Sequence, residues 1–212
     1  MVAIKEYKNK KIAIYGMGIT GQSVAKILKK FESKLFCWDD NVKNRKKLTR
    51  LNLPTNKFWL NNFSYDAIVI SPGIDINKCK IKNYLKKNSS KIVTDLDIFF
   101  HLNKNTSIIS VTGTNGKSTT CKIIEKIFKE AKLKVKTLGN IGDPILSTNN
   151  LNKKKYIFIL EVSSYQLQYS QPFRSKHAAI LNISPDHLER HKNIKNYVKI
   201  KSKIFMAQKN GD

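Results

Sequence analysis

The sequence predicts an α/β fold of two successive parallel-sheet domains, and three observations carry that expectation. Apolar runs of strand length alternate with segments of helical period along the whole chain. Two glycine-rich loops, GMGITG at 16–21 and TGTNGKST at 112–119, each follow a strand-like run and precede a helical one. A first series of elements closes near residue 94 and a second opens with TSIISVTG at 106, which divides the chain into 1–94 and 95–212, both of ordinary domain size.

Each element rests on a local pattern. KIAIYG at 11–16 is a first strand, and 22–31 is a helix with Val24, Ile27 and Leu28 on one face. KLFCWDD at 34–40 and DAIVISPG at 66–73 are the next two strands, the latter stopped by Pro72 and Gly73. Residues 81–87 read as a helix and 91–93 as a short strand. In the second unit, 106–113 is a strand, 118–131 a long amphipathic helix, and KVKTLG, YIFILEVS and AAILNIS supply three further strands. A polar loop is expected at 149–155 and a last helix at 197–207, with no repeat anywhere.

Composition excludes several classes. No apolar stretch reaches the roughly 18 residues of a membrane span, and MVAIKEYKNKK has no signal-type segment, so a cytoplasmic protein without membrane contact is expected. Lys plus Arg number 40 against 15 acids, but only Arg45, Arg50, Arg174 and Arg190 are arginines and the lysines are dispersed. That is a solvated basic surface that would attract an anionic nucleotide, not a nucleic-acid footprint. Cys37, Cys79 and Cys121 lie far apart, without a CxxC pair, and read as reduced thiols.

The chemistry sits in the loops. Gly113, Thr114, Asn115, Gly116, Lys117, Ser118 and Thr119 lie between a strand and a helix, where backbone N–H groups and a helix N-terminus cradle phosphates. Lys117 would reach the outer phosphates, and Ser118 or Thr119 would offer a hydroxyl to Mg²⁺. Val111 occupies the position where the general pattern has its first glycine. Glu161 ends an apolar strand, where a carboxylate is costly unless it meets a cation such as Mg²⁺. Asp186 to His191 follow another strand at the same sheet edge. His187 and His191, four apart, could hold zinc on a helix, though a single histidine working beside magnesium and phosphate suits the sequence better. In the first unit Gly16, Gly18 and Gly21 fit G-x-G-x-x-G, with Asp39 lying 23 residues beyond Gly16. The first unit is therefore Rossmann-like and the second of P-loop ATPase type. An NAD-dependent oxidoreductase is the rival reading, although such an enzyme has no use for a second, GK[ST], loop.

Taken together, GMGITG, SPGI, TGTNGKST, GNIG, LEVSSYQL and LNISPDHLERH stand in the order found in the Mur ligases, which this chain resembles from residue 11 to about 205. SSYQL and Asn140-Ile141-Gly142 point to the D-glutamate-adding branch, with the L-alanine-adding branch as the alternative. The resemblance implies that the first domain holds the UDP part of UDP-N-acetylmuramoyl-L-alanine. Ile19, Thr20, Asp39 and Asp40 would lie near the uracil, and Ser71, Pro72 and Gly73 near the diphosphate and sugar. The family often has a hydroxyl residue at the position of Asp40.

Asn140 and His187 match residues near the substrate phosphates and carboxylate. Lys201 matches, across a one-residue gap before Tyr197, a lysine that the family carbamylates. The implied cofactors are ATP and two Mg²⁺ ions, one held by Ser118 and Glu161 and the other by His187 and modified Lys201. The implied reaction phosphorylates the alanyl carboxylate and lets the amine of D-glutamate attack the acyl phosphate, in a monomeric enzyme. Family members are about twice as long. The resemblance thus implies that the central domain is cut short, that the amino-acid-binding domain is absent, and that this chain is inactive alone.

Overall fold

In the computed structural model, residues 7–139, 143–147, 156–171 and 173–211 are described. The expected loop at 149–155 and Asn140 fall outside them. The chain forms two four-stranded sheets, both parallel throughout.

The first sheet has the order β2-β1-β3-β4, from β1 (Lys11–Tyr15), β2 (Lys34–Trp38), β3 (Ala67–Ile70) and β4 (Ile92–Val93). The chain goes from β1 outward to β2 and then returns to the other side of β1. That reversal opens a crevice between the loops after β1 and β3, the place where open parallel sheets bind ligands. Helix α1 (Ile19–Lys30) covers the sheet with buried Val24, Ala25, Ile27 and Leu28. It starts three residues earlier than its apolar period announces. Helix α2 (Val42–Arg50) buries only Leu48 and is held at its start by Asn41, whose side chain accepts from the Lys43 N–H. Helix α3 (Lys82–Lys87) leads into β4.

Gly16 and Gly21 make the loop after β1 possible. A Cβ on Gly21 would stand 1.9 Å from the Gly16 carbonyl oxygen, so the helix is seated directly on the loop backbone. At Gly18 a Cβ meets nothing within 4 Å. Gly21→Ala should therefore cost ~3 kcal/mol or more, because backbone atoms must move, while Gly18→Ala should cost under ~1 kcal/mol. Urea unfolding of the two variants checks this, and equal losses would refute it.

Helix α4 (Asp95–Leu102) joins the two sheets. It begins with a reciprocal cap in which the Asp97 carboxylate accepts from both the N–H and the hydroxyl of Thr94, at 2.6 and 3.0 Å. Its Leu96, Ile98 and Phe99 share one apolar cluster with Ile12 and Leu28 of the first unit and Ile108, Leu138 and Phe158 of the second.

The second sheet has the order β6-β7-β5-β8, from β5 (Ser107–Thr112), β6 (Val135–Gly139), β7 (Ile157–Glu161) and β8 (His177–Ile180). Helix α5 (Lys117–Glu130) follows β5. The short α6 (Ser164–Tyr169) follows β7 with its own capping box between Ser163 and Gln166. After β8 come the single turn α7 (Leu188–His191) and α8 (Ile194–Ser202), the latter ending in a 3-10 turn at Lys203–Phe205. The last helix thus begins earlier and ends sooner than 197–207. Among the described residues no helix is long and apolar enough to cross a membrane.

Candidate active site

Strands β5, β7 and β8 end on one rim of the second sheet, and the side chains that carry chemistry stand there. Gly116 takes φ 81, a left-handed setting open to glycine, and turns the chain into α5. The loop is clamped from β8. Asn182 accepts from the Asn115 N–H at 2.9 Å and donates back to the Asn115 carbonyl at 3.1 Å, and the Thr114 hydroxyl accepts from the Ser184 N–H at 3.0 Å.

Two ammonium groups converge on one carbonyl. Lys117 Nζ donates to the Gly113 oxygen at 2.9 Å and to the Thr114 oxygen at 2.7 Å. Lys201 Nζ, from α8, donates to the same Gly113 oxygen at 2.8 Å and to the Thr112 hydroxyl at 3.3 Å. Lys201 is 1% exposed and lies 4.7 Å from the centre of the Tyr197 ring. Burial, followed by the nearby charge of Lys117, pushes its amine down to about 8, with Asp186 opposing. At a helix N-terminus this is a concentration of positive charge suited to a polyanion.

Beside it, Ser118 donates to Glu161 Oε2 at 2.9 Å, and Glu161 is 1% exposed. Thr119 is exposed, so Ser118 is the hydroxyl turned to the carboxylate. Hydroxyl and carboxylate oxygens are hard donors that fit Mg²⁺, which completes its shell with phosphate oxygens and water. Among the described residues no group of three or more His, Cys, Asp or Glu side chains could hold a metal ion. His191 is 2% exposed and its Nε2 lies 3.0 Å from the Ser164 hydroxyl, which gives the zinc alternative no support. Burial, helped by Arg190, pushes the His191 imidazole down from the usual histidine value.

His187 is the residue before α7 and takes φ 52, a strained setting for a side-chain-bearing residue. Its Nε2 lies 3.4 Å from Asp186 Oδ2, and its ring centre is 4.8 Å from that of Tyr165. Tyr165 in turn lines a cavity of about 280 Å³ between the two sheets. Ile19, Thr20, Pro72 and Gly73 line it from the first unit and Ser163 and Gln166 from the second. Ile19 is 78% exposed at its mouth. Ser71 is buried and donates to the Gly16 carbonyl at 2.6 Å, locking together the two loops of the crevice.

The two acids after β2 are engaged by the chain. Asp39 accepts from the Met17 N–H at 2.6 Å, the Asn41 N–H at 2.7 Å and the Asn44 amide at 3.0 Å, and so organises the glycine loop. Asp40 accepts from the Tyr15 hydroxyl at 2.6 Å and the Trp38 indole at 3.1 Å. Thr112, Asn182, Ser184 and Arg190 are the site neighbours that sequence reasoning gave no role. All but Thr112 lie in the quoted string LNISPDHLERH, which was the available signal.

Comparison with known proteins agrees with this geometry. The family description "Mur ligase MurD-like, N-terminal domain" matches residues 10–93, and "Mur ligase middle domain" matches 111–212. The chain is 38% identical over 204 residues to the UDP-N-acetylmuramoylalanine--D-glutamate ligase of Rickettsia bellii, covering 94% of this chain and 44% of that protein. It is 35% identical over 209 residues to the ligase of the same name from Wolbachia pipientis, covering 95% and 40%. The chain thus spans less than half the length of these relatives. Among solved structures it is similar to UDP-N-acetylmuramate:L-alanyl-gamma-D-glutamyl-meso-diaminopimelate ligase from Neisseria meningitides. The TM-score is 0.55 at 17% identity, covering 92% of this chain and 68% of that one, a likeness of fold.

Proposed function

The chain belongs to the Mur ligase family, and on that premise we propose that it supplies the UDP-substrate and ATP sites of a ligase that joins D-glutamate to UDP-N-acetylmuramoyl-L-alanine. The relatives it matches at 35 and 38% identity carry that activity in their name. The observation that supports it most is the pair of ammonium groups on the Gly113 carbonyl, at a helix N-terminus beside the Ser118–Glu161 pair. That arrangement leaves positive charge which a triphosphate would balance.

In this reading residues 1–94 hold the UDP part and 95–212 the triphosphate. The γ-phosphoryl passes from ATP to the alanyl carboxylate, breaking the bond to ADP and forming an acyl phosphate. The amine of D-glutamate then attacks the acyl carbon, phosphate leaves, and the amine proton goes to solvent or a nearby base. Such transfers need positioning and charge balance more than covalent help. Lys117 neutralises phosphate charge, the loop N–H groups orient the chain of phosphates, and Ser118 with Glu161 would hold Mg²⁺. That ion, when bound, neutralises the charge that develops on the phosphate oxygens. His187, beside the cavity wall at Tyr165, faces the substrate end, and Lys201, as a carbamate, would turn from cation to anionic ligand for a second Mg²⁺. The resemblance assigns Asn140, outside the described residues, to the substrate as well, and in this reading the enzyme acts as a cytoplasmic monomer.

Calorimetry of the 212-residue chain with UDP-N-acetylmuramoyl-L-alanine should show binding. A chain extended to the full length of its relatives should release phosphate only when ATP, that substrate and D-glutamate are all present. Turnover with L-alanine and UDP-N-acetylmuramate instead would assign it to the L-alanine-adding branch. Heat with NAD and none with the UDP substrate would favour the oxidoreductase reading.

A further inference from the structure

The single turn α7 carries three side chains that reach three different places. His187 precedes it at the rim of the second sheet. His191, at its end, pairs with Ser164 of α6. Arg190, between them, reaches across to the first unit while remaining anchored in the second. Its Nη2 donates to the carbonyls of Pro72, at 3.5 Å, and Ile74, while its Nε donates to Gln168 Oε1 at 2.6 Å. The guanidinium also lies over two rings, 5.3 Å from the centre of Tyr165 and 5.5 Å from that of Tyr169. Tyr169 repeats the connection, its hydroxyl accepting from the Ile76 N–H at 3.0 Å.

A planar five-donor fork held at one edge by Gln168 and stacked between two tyrosines has little freedom, so what it grips moves with it. It grips the turn at 72–74, which lines the 280 Å³ cavity through Pro72 and Gly73. A second hollow, of about 400 Å³, shares Gly73 and Tyr165 with that cavity and is bounded also by Asp75, Lys78, Glu189 and Arg190. From Tyr165 the rings continue inward. Tyr165 is 4.8 Å from His187 and 5.7 Å from His191, His191 is 5.4 Å from Tyr197, and Lys201 Nζ lies over Tyr197. The backbone N–H groups of Arg190 and His191 both donate to the His187 carbonyl at 3.0 Å, so the three residues form one hydrogen-bonded turn.

We infer that Arg190 is a positioning residue that couples the two sheets: a nucleoside diphosphate seated against the 72–74 turn resets His187 on the second sheet through the Arg190 clamp. This rests on the reading of the first unit as the UDP site and deepens it. Arg190 touches no reacting group. It makes the placement of His187 depend on whether the turn is occupied, so the second sheet is set only when the first is filled.

The test uses UDP alone, which lacks the muramoyl arm; because Ser163, Tyr165 and Gln166 of the second unit also line the cavity, the Arg190 variants separate a relay through the clamp from direct contact. UDP is titrated into the 212-residue chain by calorimetry and by NMR of the histidine side chains, in the wild type and in Arg190→Gln and Arg190→Lys. In the wild type, UDP should shift the His187 ring resonances. In Arg190→Gln it should still bind, with affinity reduced about tenfold or less, the loss of one charged clamp, while the His187 shift disappears. Arg190→Lys, which keeps the charge but not the fork, should restore a minor part of it. Binding with an unmoved His187 in the wild type, or with an equal shift in all three proteins, overturns the inference and leaves the UDP site standing. Absence of UDP binding to the wild type removes the UDP site and the inference together. Should Arg190→Gln fail to fold, the wild-type and Arg190→Lys measurements still decide.

Discussion

In a chain of the relatives' full length, Lys117→Ala should lower the proposed ATP-dependent phosphate release by roughly 10³-fold or more while the fold is kept. The Lys117 ammonium stands over its own loop. Its two partners are carbonyls of its own loop, Gly113 and Thr114, and no strand or core residue depends on it for packing. Removing it deletes charge from the phosphate cradle and leaves Lys201 as the ammonium on the Gly113 oxygen. The thermal midpoint should therefore stay near that of the wild type, because the lost contacts are half-exposed and carbonyls regain water. Nucleotide affinity measured by calorimetry should fall together with turnover, since the charge serves both the bound and the transferring phosphoryl group. Lys201 should respond as well. Losing its charged neighbour removes one of the causes that depress its amine, so its titration should move upward. Unchanged turnover in this variant, in a chain of the relatives' full length, would break the proposed function.

The fold was legible wherever a strand is an uninterrupted apolar run. IAIY, AIVI and IFIL are largely buried in parallel sheets, and composition alone marks them. Helices α2, α4 and α6 were not read, each for its own reason. Helix α2 buries a single residue, Leu48, and so has no apolar stripe. Helices α4 and α6 are short, and their signal is the reciprocal cap, Thr94 with Asp97 and Ser163 with Gln166, rather than a period. The site divides in the same way. Lys117 and Ser118 could be singled out as candidates because the GK[ST] pattern is built from consecutive residues. Asn182 on Asn115, Lys201 on Gly113 and Arg190 on Ile74 join segments 67 to 116 positions apart, and no local pattern encodes such pairings. Asp39 was singled out by its spacing from Gly16, while its partners within the chain were not: the carboxylate accepts from the Met17 N–H of the glycine loop and from Asn41 and Asn44 beyond β2.

Lys201→Met should make the chain more stable at pH 7 and the enzyme far less active. The side chain is 1% exposed and its ammonium is held by one carbonyl, one hydroxyl and a ring face, with a second ammonium nearby. The folded state therefore releases the proton at about 8, whereas the unfolded chain releases it near the ordinary lysine value of 10.5. Between those limits the unfolded state binds more protons, so stability rises with pH from about 8 to about 10.5. Below about 8 both states are protonated and the folded state carries the whole cost of a buried, crowded charge. Methionine has similar length and no charge, so the substitution should recover about 2 kcal/mol at pH 7 and flatten the alkaline rise. Urea midpoints at pH 7, 8.5 and 10 measure both effects.

The same depressed amine explains what the residue is kept for in the proposed function. A lysine releasing its proton near 8 offers a far larger fraction of neutral nitrogen near pH 7 than an ordinary lysine does. That nitrogen can attack CO₂, forming the N–C bond of a carbamate and giving up one proton, which exchanges a costly cation for an anion facing Lys117. Carbon-13-enriched bicarbonate should therefore yield one protein-bound carbamate resonance in the wild type and none in Lys201→Met. In a chain of the relatives' full length, the methionine variant should lose roughly 10³-fold in turnover. A variant that lost stability at pH 7 would show that burial does not strain the amine, and one that kept its turnover would show that the amine is not used.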